Sequence, residues 1–328
     1  LKAVGRRRRK AGAKKGRSPS KLGRLLGEAV VPSRAAAARA AARARLAEAT
    51  SNGKGPAVTT GEAVLAYLAK QIEAVLELDP KARLGEEDAV HRMRVAVRRL
   101  RSALRVYRPV LDAERTGPLG PELRWLAAVL GEVRDLEVLR MRFAEAPPFV
   151  VEDLEKRERA AYRRMNASLK EPRYFALLDE LDRLVLDPPL SAAADRKARK
   201  ELPALVTRAW ERMAKEYASI KSAGDPDAAR HETRKAAKRA RYAAELAVPV
   251  LGVAAKRAAK GAKRIQEVLG GYQDGVIAMG HLEAAAARTK DPAEAFTLGA
   301  LYGKERCQAE SARDHLSTTW SQTLGPSF

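Results

Sequence analysis

The sequence predicts an all-α protein. Apolar residues recur at helical spacing from Thr60 onward, no segment alternates with period two over a useful length, and the breaks between periodic stretches carry Pro or Gly. Composition agrees: hydrophobic residues make up 46% of the chain but aromatics only 5%. The core must therefore be built mainly from Ala, Leu and Val against a background of Arg, Lys and Glu, residues that lose little side-chain entropy on entering a helix. A chain of 328 residues is long enough to bury one large core or two modest ones.

The elements are expected in the following order. Residues 1–32 are rich in Arg, Lys, Gly, Ser and Pro and are expected to be disordered. Ser33 is placed to cap a short Ala/Arg helix running to about Thr50, with too few large apolar residues to pack as a core element. Ser51–Pro56 reads as a linker. Thr60 is then a plausible cap for a helix carrying Val64, Leu65, Leu68, Ile72, Val75 and Leu76 on one face. Further helices are expected near 87–112, 121–145, 151–169, 173–186, 195–221, 226–248, 255–270, 272–289 and 292–320, separated by Gly117–Pro118, Pro147–Pro148, Pro188–Pro189, Gly224–Pro226 and Asp291–Pro292.

Targeting signals are sparse. Leu1–Lys10 is basic but leads into no apolar segment, so it does not read as a signal peptide. The chain holds no apolar run of about 18 residues, so no membrane span is expected. The single cysteine, Cys307, excludes an intrachain disulfide and fits a reducing, cytoplasmic setting.

The net charge is +22, and its distribution says more than its size. Residues 1–56 hold 16 Lys/Arg against Glu28 and Glu48, or 16 − 2 = +14. The remaining 272 residues carry 47 basic and 39 acidic groups, or 47 − 39 = +8. Within that body the informative question is where cations cluster without acids.

They cluster twice, in one register. His91-Arg92-Met93-Arg94-Val95-Ala96-Val97-Arg98-Arg99-Leu100-Arg101 matches His231-Glu232-Thr233-Arg234-Lys235-Ala236-Ala237-Lys238-Arg239-Ala240-Arg241, an offset of 231 − 91 = 140. Leu130-Gly131-Glu132-Val133-Arg134-Asp135 matches Leu269-Gly270-Gly271-Tyr272-Gln273-Asp274 at an offset of 139. The body thus reads as a tandem duplication, with residues 57–190 and 191–328 as its repeats behind a basic arm at 1–56.

At about 100° per residue, His91, Arg94, Arg98, Arg101 and Arg105 fall within one helical stripe. Met93, Ala96, Val97, Leu100, Ala103, Leu104 and Tyr107 take the opposite face. His231, Arg234, Lys238 and Arg241 repeat the stripe, with Ala236, Ala237, Ala240, Ala243 and Ala244 behind them. A solvated helix usually mixes signs for i,i+4 pairing, yet 91–108 holds seven Arg and no acid. Something anionic is expected to offset that repulsion.

These blocks resemble the CHAD family, an α-helical domain named for its histidines, through H-x-x-R-V-x-x-R-R-L-R at 91–101, the weaker twin at 231–241 and both L-G-x-x-x-D echoes. The resemblance covers about 58–320. It implies two pseudo-symmetric helical bundles around a central basic channel that binds inorganic polyphosphate, often at polyphosphate granules, with no catalysis and no cofactor. His91, Arg94, Arg98 and Arg101 are carried over on the first copy, and His231, Arg234, Lys238 and Arg241 on the second. The second copy departs from the pattern at Lys235, Ala237 and Ala240, and Glu245 stands where the first has Arg105. The E-x-E-x-K signature of the triphosphate-tunnel enzymes that accompany many relatives is absent from this chain.

Arginine supplies flat, forked donors matched to phosphate oxygens, and lysine a mobile point charge, so the stripes suit a polyanion that offers no bases to read. Arg105, Arg124, Lys260 and Lys263 are candidates to widen the site, with Lys256 on the same face as the last two. Asp135 and Asp274 are expected to pair with arginine or cap a turn, and Trp125 and Tyr242 to join the core. The main rival is nonspecific DNA or RNA binding through the basic arm; scarce aromatics and the lack of a helix-turn-helix or finger pattern weigh against it. A metal-dependent phosphohydrolase built on His91, His231, Asp135 and Asp274 would set its metal among cations that repel it.

Overall fold

A computed structural model describes residues 33–51, 57–323 and 325–328. The expectations for residues 1–32 and for the linker at 52–56 lie outside the described residues. The described chain is all-helical, with no strand. In order its α-helices are α1 (Arg34–Ser51), α2 (Thr60–Arg83), α3 (Ala89–Val106), the single turn α4 (Ala113–Thr116), α5 (Leu119–Arg142), α6 (Pro148–Ser168), α7 (Pro172–Leu186), α8 (Ala198–Ser219), α9 (Pro226–Leu251), α10 (Val253–Ala286) and α11 (Pro292–Ser321).

Local chemistry accounts for the ends. Thr59, one residue ahead of the expected Thr60, caps α2 in a reciprocal box: its hydroxyl accepts from Glu62 N–H while Glu62 accepts from Thr59 N–H. Thr60 instead turns inward and donates its hydroxyl to the Arg196 carbonyl at 2.9 Å, tying the start of α2 to the approach to α8. Asp225 and Asp291 cap α9 and α11, each followed by Pro at the first helical position. Gly252, at φ 60°, makes the turn between α9 and α10.

Packing runs in two matching series. α2 lies on α3, α3 on α5 and α5 on α6; α8 lies on α9, α9 on α10 and α10 on α11. α3 and α9 meet between the series. There the buried Tyr107 hydroxyl donates to the Ala243 carbonyl at 2.7 Å. The apolar faces read from the sequence are the buried ones: Met93, Ala96, Val97, Leu100, Ala103 and Tyr107 on α3, and Ala236, Ala237, Ala240, Ala243 and Ala244 on α9. Small residues on α9 let neighbouring backbones approach closely, and burying those side chains is the main drive holding the layers together.

Two expectations are corrected. The Ala/Arg helix α1, capped by Ser33 as expected, is not free of the body but packs on α2 and α7. Polar pairing substitutes for the missing apolar bulk: Arg39, only 7% exposed, pairs with Asp182, while Arg43 and Arg45 pair with Glu73 and Glu62. The second correction concerns the break expected at Gly271, between helices 255–270 and 272–289: Gly271 lies inside the single 34-residue helix α10. Gly275 on the same helix shows why a helix accepts such residues: a Cβ there would come within 2.9 Å of the Ala309 Cβ on α11. Close approach, and not a turn, requires that glycine.

Candidate anion-binding site

α3 and α9 present their cationic stripes where the two helices meet, each backed by a third helix, α5 or α10. Arg94 reaches from α3 to α5 and donates to Asp135 at 3.2 Å. Its guanidinium lies over Gly131, so that a Cβ there would sit 3.4 Å from Nη2. Arg234 reaches from α9 to α10 in the same way, 3.6 Å from Asp274, with a Cβ at Gly270 falling 3.3 Å from Nη2. Each L-G-x-x-x-D block is thus a seat: the glycine leaves room for a guanidinium, and the aspartate one turn later holds it. Both aspartates pair with arginine, as the sequence suggests.

The seats are not identical. Arg234 also donates to Gln273 at 2.8 Å, and the Gln273 amide nitrogen lies 2.7 Å from His231 Nδ1. The residue in register in the Leu130–Asp135 block is Arg134, which pairs with Glu137 at 3.1 Å and whose charge bears on His91. Burial first, then the Arg134 guanidinium, hold the His91 imidazole below its ordinary range, with Asp88 opposing. His91 is therefore neutral at pH 7 and has a ring nitrogen ready to donate one hydrogen bond.

Between the seats the cations crowd one another. The Lys238 ammonium is pushed down to about 7, by burial first and then by Arg234, Arg98 and Arg94, with Asp274 opposing. Burial likewise lowers Arg94 and Arg234; Asp135 and Asp274 oppose, and Arg98 adds to both falls. The Nε–H groups of Arg94, Arg98 and Arg234 are buried without a hydrogen-bond partner. Arg98 and Lys238 form no ion pair among the described residues, so at this point cations outnumber the acids that face them.

A second group continues along α3. Burial and then Arg124, Arg105 and Arg98 lower Arg101, which places Arg124 of α5 beside the stripe. Arg105 and Arg124 are exposed. The other expected cations go elsewhere. Arg241 donates to Glu245 at 2.8 Å and to Gln266 at 3.3 Å. Glu245 also accepts from Arg99 at 3.0 Å. Arg241 is therefore withdrawn from the group, because a carboxylate four residues on and a glutamine across the helix pair already occupy it. Lys263 pairs with Glu267 at 3.2 Å, and Lys260 is exposed on α10 with nothing linking it to the cluster. Sequence reasoning missed Arg134 and Gln273, which stand immediately before the aspartate of each echo, a register signal that their different identities conceal.

The model of the CHAD domain matches residues 66–283, from within α2 to near the end of α10. The chain belongs to the CHAD family. An uncharacterized protein of Mycobacterium tuberculosis, found in two strains, is 35% identical over 296 residues. That alignment covers 83% of this chain and 56% of the relative, so the chain spans little more than half the length of these relatives. Among solved structures, the CHAD domain from the plant Ricinus communis matches with a TM-score of 0.68 at 26% identity, covering 83% of this chain and 94% of that one. PptA from Streptomyces chartreusis shares the fold with a TM-score of 0.61 at 23% identity, covering 80% of this chain and 99% of that one. The CHAD match takes in both seats and the cations between them.

Proposed function

We propose that this CHAD protein binds inorganic polyphosphate, without catalysing its turnover, in a basic channel between two pseudo-symmetric halves that arose by duplication. The observation that carries the reading is the convergence of Arg94, Arg98, Arg234 and Lys238, from helices 140 residues apart, around a point where Asp135 and Asp274 are the carboxylates that oppose them among the described residues. Like charges held together in a part-buried site repel strongly. A ligand with a charge on every unit relieves that repulsion and supplies acceptors along its length. The matched seats at Gly131 and Gly270 support the two-fold relation, since one arginine is held in the same manner in each half. Forked guanidinium donors suit phosphate oxygens, and the stripes present no base-reading surface. On this reading the protein resides in the cytoplasm and localises to or organises polyphosphate granules.

The test compares the full chain with Arg98→Gln/Lys238→Gln, which leaves the arm and both seats in place. Long-chain polyphosphate is expected to bind the wild type with an affinity that falls steeply with salt, to bind far more tightly than orthophosphate, and to displace DNA at equal phosphate. The double variant is expected to lose at least tenfold. Equal binding by orthophosphate, or an unchanged affinity in the folded double variant, refutes the reading.

A further inference from the structure

The packing of α3 on α9 sets residue 99 of one helix against residue 245 of the other: Arg99 reaches Glu245 at 2.9 Å. Residues 105 and 245 are equivalent under the 140-residue register, as are 99 and 239. The same crossing seen from the opposite side therefore brings Arg239 to Arg105. Arg239 accordingly feels Arg105 more than any other charge, though burial remains the larger influence on it. One flank of the crossing is an ion pair; the other is two like charges.

The carboxylates that act on Arg239, Glu232 and Glu216, are already engaged. Glu232 pairs with Lys235 at 2.6 Å and Glu216 with Arg212 at 2.7 Å. Neither Arg239 nor Arg105 forms an ion pair among the described residues, and the same holds for Arg101 and Arg124 beside them. On the opposite flank Glu245 serves both Arg99 and Arg241, and the ring of Tyr242 lies under both guanidiniums, 5.7 and 5.5 Å from them. Both arginines of that network, Arg99 and Arg241, thus have a partner within the protein.

We infer that the polyanion leaves the central cluster on one flank only, over Arg101, Arg105, Arg124 and Arg239, while the Arg99–Glu245–Arg241 network closes the other. This rests on the polyphosphate reading and adds its direction, along with Arg239 as a binding residue. Duplication supplied two equivalent flanks. A single difference, Glu245 in place of a second arginine, closed one and left the other without counter-charge.

The experiment uses the full chain and long-chain polyphosphate. Arg239→Glu gives Arg105 the carboxylate that Arg99 already has, so the free variant is expected to melt no lower than wild type. Its affinity is expected to fall at least tenfold. The slope of log affinity against log salt is expected to shrink by roughly the contribution of two phosphate contacts, and for Arg239→Gln by roughly one. Arg99→Gln/Glu245→Gln, which leaves the net charge unchanged on the closed flank, is expected to retain wild-type affinity and slope. Wild-type binding with Arg239→Glu and Arg239→Gln indistinguishable from it overturns this inference alone, as does an equal loss in Arg99→Gln/Glu245→Gln. Failure of the wild type to bind polyphosphate overturns the underlying reading and this one together.

Discussion

Lys238 sits half-buried among three guanidiniums, and replacing it with methionine separates what it does for the free protein from what it does for the ligand. Its ammonium falls from 10.5 to about 7 on folding, which corresponds to up to about 5 kcal/mol of disfavoured protonation. Between pH 7 and 10.5 the unfolded chain keeps the proton and the folded chain releases it. Stability therefore rises with pH across that window, and the full handicap applies below pH 7. Lys238→Met removes the titrating group while keeping an unbranched side chain of similar length. Denaturant unfolding without polyphosphate should show the variant more stable than wild type at pH 6, by a margin that shrinks about 1.4 kcal/mol per pH unit above 7. On the proposed reading, bound polyphosphate should reverse the preference by stabilising the ammonium, so wild type should take up close to one proton on binding at pH 8. Calorimetry in two buffers of different ionisation enthalpy measures that uptake, and Lys238→Met should lack it and bind more weakly. A stability difference that does not change with pH, or a variant less stable than wild type at pH 6, would refute the argument that burial and its neighbours lower the Lys238 ammonium.

Other predictions follow from named contacts. His91, held below its ordinary range by burial and Arg134, should titrate below 6.5 in the free protein and move upward when polyphosphate is added; NMR of the ring protons reads both, and an unmoved resonance counts against its place in the site. Glu305 is 6% exposed and its carboxylate accepts a bifurcated hydrogen bond from Arg142 Nε–H, 3.1 Å to each oxygen. Arg142→Met should therefore strand a buried carboxylate and lower stability by about 3–5 kcal/mol. Gly275→Val should push α11 off α10 and cost about 1–3 kcal/mol, because its first carbon already meets Ala309 at 2.9 Å; an unchanged unfolding midpoint would show that the helices can part freely. Gly270→Leu should displace Arg234 from its seat and weaken polyphosphate binding with helicity retained by circular dichroism.

Much of this molecule was legible in the order of its residues, because a helix turns local spacing into faces. The period of Val64, Leu68, Ile72 and Val75 foretold α2, and that of Met93, Ala96, Val97 and Leu100 the buried back of α3. By the same geometry the cationic stripe had to lie opposite. The echo of Gly131 and Asp135 in Gly270 and Asp274 was visible as a pattern, and its aspartates were expected to pair with arginine or cap a turn, but the part its glycines play was not legible.

Meaning came from contacts between residues far apart in the chain, which no local period encodes. Gly270 stood inside an expected helix with no sign that Arg234 lies on it, and α1 looked too poor in apolar side chains to pack as a core element, yet Arg39 meets Asp182 across 143 residues. Arg98 and Arg99 are neighbours in sequence, yet one faces a cluster of cations and the other meets Glu245. Spacing decided which faces were apolar and which were charged. Only the packing of α3 and α9 on each other and on α5 and α10 decided which of those charges would find partners, because electrostatic neutralisation depends on a few ångströms between side chains that lie far apart in the chain.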